Sequence, residues 1–174
     1  MKKTVIGGLM VTGFSLLVGG CGGGGGDTPP QPTMAVLTLK TAGTPSGAYK
    51  GIELTVNLPA TVSVKTDPLN PKQTAPGALK LSGVFARYST LTTPRPFWGR
   101  YSSAGAGKPS VVIINISSGT AEYPVGEFAT LTCNLASGQT ASLTDFSVVN
   151  FAAYGTGGAD ITGLTASPLG VTLK

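Results

Sequence analysis

Three aromatic residues and two arginines fall within seven consecutive positions, Arg95-Pro96-Phe97-Trp98-Gly99-Arg100-Tyr101, and this stretch holds the only tryptophan of the chain. Aromatic faces stack on sugar rings, and tryptophan and arginine are favoured at the centres of protein interfaces. Arg95, Phe97, Trp98, Arg100 and Tyr101 are therefore the candidate binding residues. Prolines and glycines bracket them, so the stretch reads as a loop, where exposed functional residues concentrate. In the competing reading, Phe97 and Trp98 fold back to plug one end of the fold and the arginines are simply solvated. Tyr49, Tyr88, Tyr123 and Tyr154 are scattered and read as cover for the edge of a core.

Other chemistry is poorly represented. Histidine is absent, which removes the commonest general base and the commonest transition-metal ligand. The seven acidic residues, Asp27, Glu53, Asp67, Glu122, Glu127, Asp145 and Asp160, are spread along the chain without the tight acidic loop that calcium requires. Paired carboxylates can hydrolyse glycosides, but no spacing here points to such a pair. We therefore expect a non-catalytic protein with no catalytic residues, no metal and no cofactor. The net charge of +5 is carried by dispersed lysines and arginines, so no nucleic-acid partner is expected.

The two cysteines sit in contrasting surroundings. Lys2 and Lys3 precede a mostly apolar run from Val5 to Val18, which has the length and flanks of a secretory signal and is too short for a membrane span. The run ends in Val18-Gly19-Gly20-Cys21, which resembles the bacterial lipobox, with the small Gly19 where alanine, serine or threonine is usual. That resemblance implies diacylglyceryl transfer to the Cys21 thiol, cleavage before it, and acylation of the new amino group by a fatty chain such as palmitate. Ordinary cleavage at a small-residue site is the alternative. Two or more acyl chains give stable anchoring, at about 0.8 kcal/mol per buried methylene. Gly22, not aspartate, follows Cys21, which by resemblance to lipoprotein sorting implies the outer membrane of a two-membrane envelope.

Five glycines then form a soft coil, and Asp27-Thr28-Pro29-Pro30-Gln31-Pro32-Thr33 a stiffer extended piece. The expected organisation is a signal peptide over residues 1–20, a lipidated tether over 21–33 and one domain over 34–174. Loss of Lys2 and Lys3 lowers the net charge from +5 to +3. With Cys21 lipidated, Cys133 has no intramolecular disulfide partner. It alternates with leucines in Leu131-Thr132-Cys133-Asn134-Leu135 and reads as a buried apolar thiol rather than a reactive or dimer-forming one.

From Met34 onward the hydrophobic period is two. Leu37 and Leu39 alternate with Val36, Thr38 and Lys40; residues 41–50 read as a loop. Ile52, Leu54, Val56 and Leu58 alternate with Glu53, Thr55 and Asn57, the clearest half-buried strand, and Val62 and Val64 continue after a turn at Pro59-Ala60. Residues 67–77, with three prolines, read as a surface loop, and residues 90–107 as long and irregular. Leu79 and Leu81 lead into Val84 and Phe85 as another strand. Val111-Val112-Ile113-Ile114-Asn115-Ile116 is apolar on both faces, as in a central strand. Residues 128–135, 146–154 and 171–173 supply further strands, with a short extended piece near Ile161. No window holds a sustained 3.6-residue period. Eight or nine short strands predict an all-β fold, a single antiparallel β-sandwich of jelly-roll type.

Several segments carry a family resemblance. Gly51-Ile52-Glu53-Leu54-Thr55-Val56-Asn57-Leu58-Pro59 followed by Val62-Ser63-Val64 resembles the opening of cohesin-type modules. Gly126-Glu127-Phe128-Ala129-Thr130-Leu131-Thr132-Cys133-Asn134-Leu135 resembles a later cohesin strand, and Asp145-Phe146-Ser147-Val148 and Gly170-Val171-Thr172-Leu173 resemble the closing ones. The likeness spans about residues 35–174 and implies a nine-stranded jelly-roll, a fold shared with many carbohydrate-binding modules. It implies a dockerin-like or other envelope protein partner, or a polysaccharide, beside the membrane held through Cys21. None of the matching motifs is catalytic.

Overall fold

A computed structural model describes residues 30–88, 97–103, 111–117 and 122–174. The signal segment, Cys21, most of the tether and Arg95 lie outside the described residues. The described chain is all-β, with short 3-10 turns as its only helical pieces. Its strands are β1 (Met34–Gly43), β2 (Gly51–Asn57), β3 (Val62–Ser63), β4 (Thr66–Asp67), β5 (Asn70–Thr74), β6 (Leu79–Leu81), β7 (Phe97–Ser102), β8 (Val111–Ser117), β9 (Glu127–Leu135), β10 (Ser147–Tyr154) and β11 (Leu164–Leu173).

These strands form two antiparallel sheets rather than a closed barrel. The first has the order β11-β1-β9-β3, with β6 also paired to β9; the second has the order β10-β2-β8-β7-β5-β4. Only β4 with β5 and β7 with β8 are both consecutive and paired. Every other step between successive strands passes from one sheet to the other, a weave compatible with a jelly-roll.

Alternation creates the core. Ala35, Leu37 and Leu39 of β1, Ile52, Leu54 and Val56 of β2, and Leu131 and Cys133 of β9 are all buried. Each leucine or isoleucine taken fully out of water contributes about 1.5–3 kcal/mol before conformational entropy is counted. In β9 the pairing with β1 shifts between Leu39 and Lys40, which inserts Phe128 as an extra residue. Phe128 and its neighbour Ala129 are consequently both buried, which strict alternation does not allow. The ends of the domain are tied together: Thr33 and Met34 donate to the Lys174 carbonyl at 2.8 and 3.0 Å, and Lys174 donates to the Met34 carbonyl at 2.9 Å.

Several sequence expectations need correction. Residues 41–43, read as the start of a loop, are the end of β1. Residues 67–77 are not a plain loop, because β5 and the end of β4 lie there around an Asx turn, with the Leu69 N–H donating to Asp67 Oδ1 at 2.9 Å. Part of the span read as irregular, residues 90–107, is β7. The final strand begins at Leu164, well before Val171, and carries Pro168. Proline is tolerated there because β11 is an edge strand, and the register shift opposite Thr38 and Leu39 leaves Leu169 as an extra residue beside it. Finally, Val84 and Phe85 belong to a 3-10 turn, Gly83–Tyr88, not to a strand.

The second sheet has a comparable irregularity at its β10 edge. Its pairing with β2 shifts between Val149 and Ala152, and Asn150 there adopts a left-handed backbone with φ 52°. Asparagine is among the few side-chain-bearing residues that visit this region readily.

The scattered tyrosines divide. Tyr49 and Tyr123 are core residues rather than edge cover, and Tyr154 is half-buried. The Phe85 ring stacks on Tyr123 with centroids 4.0 Å apart, and it meets Phe128 at 5.7 Å in a tilted arrangement. Tyr49 lies 6.0 Å from Tyr123, and its hydroxyl donates to the Pro124 carbonyl at 2.6 Å. Thr41, also buried, joins this group: its hydroxyl accepts the Gly126 N–H at 3.1 Å and lies 3.4 Å from the Tyr49 hydroxyl.

Candidate functional site

The aromatic stretch is a strand, not a loop. β7 lies between β8 and β5, with Trp98 opposite Asn115, Arg100 opposite Ile113 on one side and Gln73 opposite Arg100 on the other. Period two therefore divides the candidate residues. Phe97 and Tyr101 are half-buried and pack against the core, and Gly99 between them is buried. Trp98, 38 % exposed, and Arg100, exposed, share the opposite face. Arg95 lies outside the described residues. Of the two readings made from sequence, inward plug and outward display, the strand puts one pair of side chains in each.

Gly99 has a definite steric role. A Cβ built there would meet Thr74 Cγ2 and Oγ1 at 2.9 Å and Leu79 Cδ2 at 3.4 Å. The missing side chain is what lets β5 and β6 approach β7.

Two concavities flank this strand. The first, of about 350 Å³, is lined by Asp67, Gln73, Thr74, Leu79, Phe97 and Trp98 among others. It combines two aromatic residues with a carboxylate, an amide and a hydroxyl. The second, of about 530 Å³, is lined by Thr66, Pro71, Lys72, Arg100, Tyr101, Ser102 and Ser103 and is predominantly polar. Volumes of about 300–1,000 Å³ are typical of small-ligand sites.

The contribution of β4 and β5 was not read from the sequence, because three prolines within residues 67–77 conceal it. A signal was nonetheless present. Asp67-Pro68-Leu69-Asn70 has aspartate and proline in the first two positions of a tight turn, which marks a reversal between paired segments.

Titration adds little at this face. Burial alone pushes the Cys133 thiol up to about 12, so it stays protonated and inert in the first sheet. The Asp145 carboxyl, distant in sequence from β7, is held below its ordinary range by the Ser142 N–H at 2.7 Å and the Ser142 hydroxyl at 2.8 Å. Among the described residues no group of three histidine, cysteine or acidic side chains converges as a metal site would. No helix among them is long and apolar enough to cross a membrane. No protein-family model matches the chain, and no curated protein or solved structure is significantly similar to it.

Proposed function

We propose that this chain is a lipid-anchored, non-catalytic binding module of the bacterial cell envelope, a cohesin-like sandwich carried on a tether from an acylated Cys21. The supporting observation is the position of Trp98. The only tryptophan of the chain stands partly in solvent beside the exposed Arg100, while its neighbours Phe97 and Tyr101 pack against the core. A rigid strand thus presents the two residue types most enriched at interface centres, at little conformational cost on binding. The first partner class is an envelope protein, dockerin-like or other.

A second reading is favoured by a separate observation, the concavity of about 350 Å³ lined by Phe97, Trp98, Asp67, Gln73 and Thr74. An aromatic wall with a few polar groups suits a saccharide unit, so polysaccharide is the alternative ligand.

Calorimetric titration of wild type and Trp98→Ala with an oligosaccharide panel separates the two. Saturable binding by wild type that is lost in the variant supports the polysaccharide. A defined envelope protein that binds wild type and loses at least ten-fold affinity to Trp98→Ala supports the protein partner. The absence of both responses overturns the assignment of this face. Mass spectrometry of the native amino terminus tests the anchor, since an unacylated first residue overturns it.

A further inference from the structure

The first concavity carries one charged side chain, and it is acidic. Asp67, Gln73 and Trp98 line it, and no lysine or arginine is among its lining residues. The cations beside it stand outside that lining: Lys80, whose Cε lies 3.6 Å from where a Gly77 Cβ would be, and Arg100, the register partner of Gln73. Asp67 Oδ1 is committed to the turn, where it accepts the Leu69 N–H at 2.9 Å. Oδ2 has no hydrogen bond and no ion pair among the described residues. A carboxylate accepts and does not donate, so a group seated against it must bring its own hydrogen.

Register places the other two lining residues on one face. Gln73 pairs with Arg100, so its side chain shares the face of Arg100 and Trp98. Gln73 and Trp98 are then diagonal neighbours across β5 and β7, about 7–8 Å apart. A sugar ring stacked on Trp98 spans that separation and meets the Gln73 amide, which both donates and accepts. Hydroxyls satisfy both polar groups, one donating to Asp67 Oδ2 and another pairing with Gln73. A sugar carboxylate suits Asp67 poorly, because like charges repel and it has no hydrogen to give. We infer that the saccharide taken by this face is a neutral one, its ring on Trp98 and a hydroxyl donating to Asp67. This inference rests on the polysaccharide reading above and specifies its ligand.

The test uses the full chain with its native anchor, held in neutral detergent, and reads Trp98 fluorescence. The probes are tetrasaccharides of glucose, mannose and galactose, each beside the uronate of the same linkage. At least one neutral probe is expected to bind about ten-fold or more tightly than its uronate at low salt, with the ratio shrinking as salt is added. Asp67→Asn keeps an oxygen for the Leu69 N–H but puts an amide in place of the uncommitted acceptor. It should lose about ten-fold or more in affinity for the neutral probe at an unchanged denaturation midpoint, and its neutral-to-uronate ratio should fall toward one. A uronate that binds wild type as tightly as its neutral counterpart overturns the inference and leaves the polysaccharide reading standing. An Asp67→Asn protein that keeps full affinity does the same. Should that variant fold poorly, the wild-type ratio alone decides. If no probe of either kind binds, the polysaccharide reading and this inference fall together.

Discussion

Two groups of aromatic residues in this protein are arranged in opposite ways. Phe97, Trp98 and Tyr101 are neighbours in sequence, yet the strand they form sends Trp98 to one face and the other two to the opposite one. Tyr49, Phe85, Tyr123 and Phe128 are dispersed over 80 positions, yet their rings meet in a buried cluster at distances of 4.0 to 6.0 Å. Proximity in sequence thus leaves only Trp98 on the surface and turns its two neighbours toward the core, while the dispersed rings converge there completely. The lesson is that a run of aromatics in a β protein is divided by the period of two, whereas a tertiary cluster needs contributions from several elements.

The comparison predicts that stability resides in the dispersed group and ligand contact in the contiguous one. The largest effect is expected from Phe85→Ala, which removes a ring with no exposure between Tyr123 and Phe128. It should cost about 3–5 kcal/mol in urea denaturation. If Phe85→Ala costs less than 1 kcal/mol, the cluster is not the stabilising centre. Next is Gly99→Ala, whose Cβ collides with Thr74. We expect about 1–3 kcal/mol of destabilisation, with loss of whatever ligand the β5–β7 face takes. A well-tolerated alanine would mean that β5 is free to move away.

Tyr49→Phe tests the polar part of the cluster. It removes the 2.6 Å donation to the Pro124 carbonyl and should lower the unfolding free energy by about 1 kcal/mol. Cys133 offers a pH test on the same core. Its thiol is raised by burial from the ordinary value of 9.0 to about 12. The unfolded thiol therefore ionises first, and its contribution is complete below pH 9 and declines as pH rises from 9 toward 12. The stability difference between wild type and Cys133→Ala should narrow over that window; a constant difference would show that the thiol is not shielded. The smallest stability effect belongs to Trp98→Ala, within about 0.5 kcal/mol, because that ring is partly solvated already. A cost comparable to that of Phe85→Ala would dissolve the distinction between the two groups.

Much of the sandwich was legible from hydrophobic alternation. β2 shows it over Ile52, Leu54 and Val56, and β9 over Leu131, Cys133 and Leu135; the apolar run of β8 indicated a strand flanked on both sides, as its pairing with β2 and β7 bears out. Three of the misreadings, at residues 67–77, at residues 90–107 and at the start of the final strand, share a cause: proline and glycine were taken as interruptions. Gly99 sits inside β7 because β5 needs the space, and Pro168 sits inside β11 because an edge strand can spare an N–H. Strict alternation with Leu131 and Cys133 would turn Phe128 outward; the bulge that buries it cannot be seen from one strand alone. For the candidate site, residue types were legible but orientation was not. Lys72, Gln73 and Thr74 were missed because their role depends on β5 lying beside β7, a pairing between segments more than 20 residues apart.

The irregular outer strands have a consequence of their own. A β-sandwich has open flanks, and exposed flank backbone can recruit the same strand from a neighbouring molecule. Here β10 is kinked at Asn150, β11 lacks an amide proton at Pro168 and is offset at Leu169, and β4 is only two residues long. None of these margins offers a long straight template. Crowded side by side, the sandwiches should resist zippering into a continuous fibril and remain separate particles.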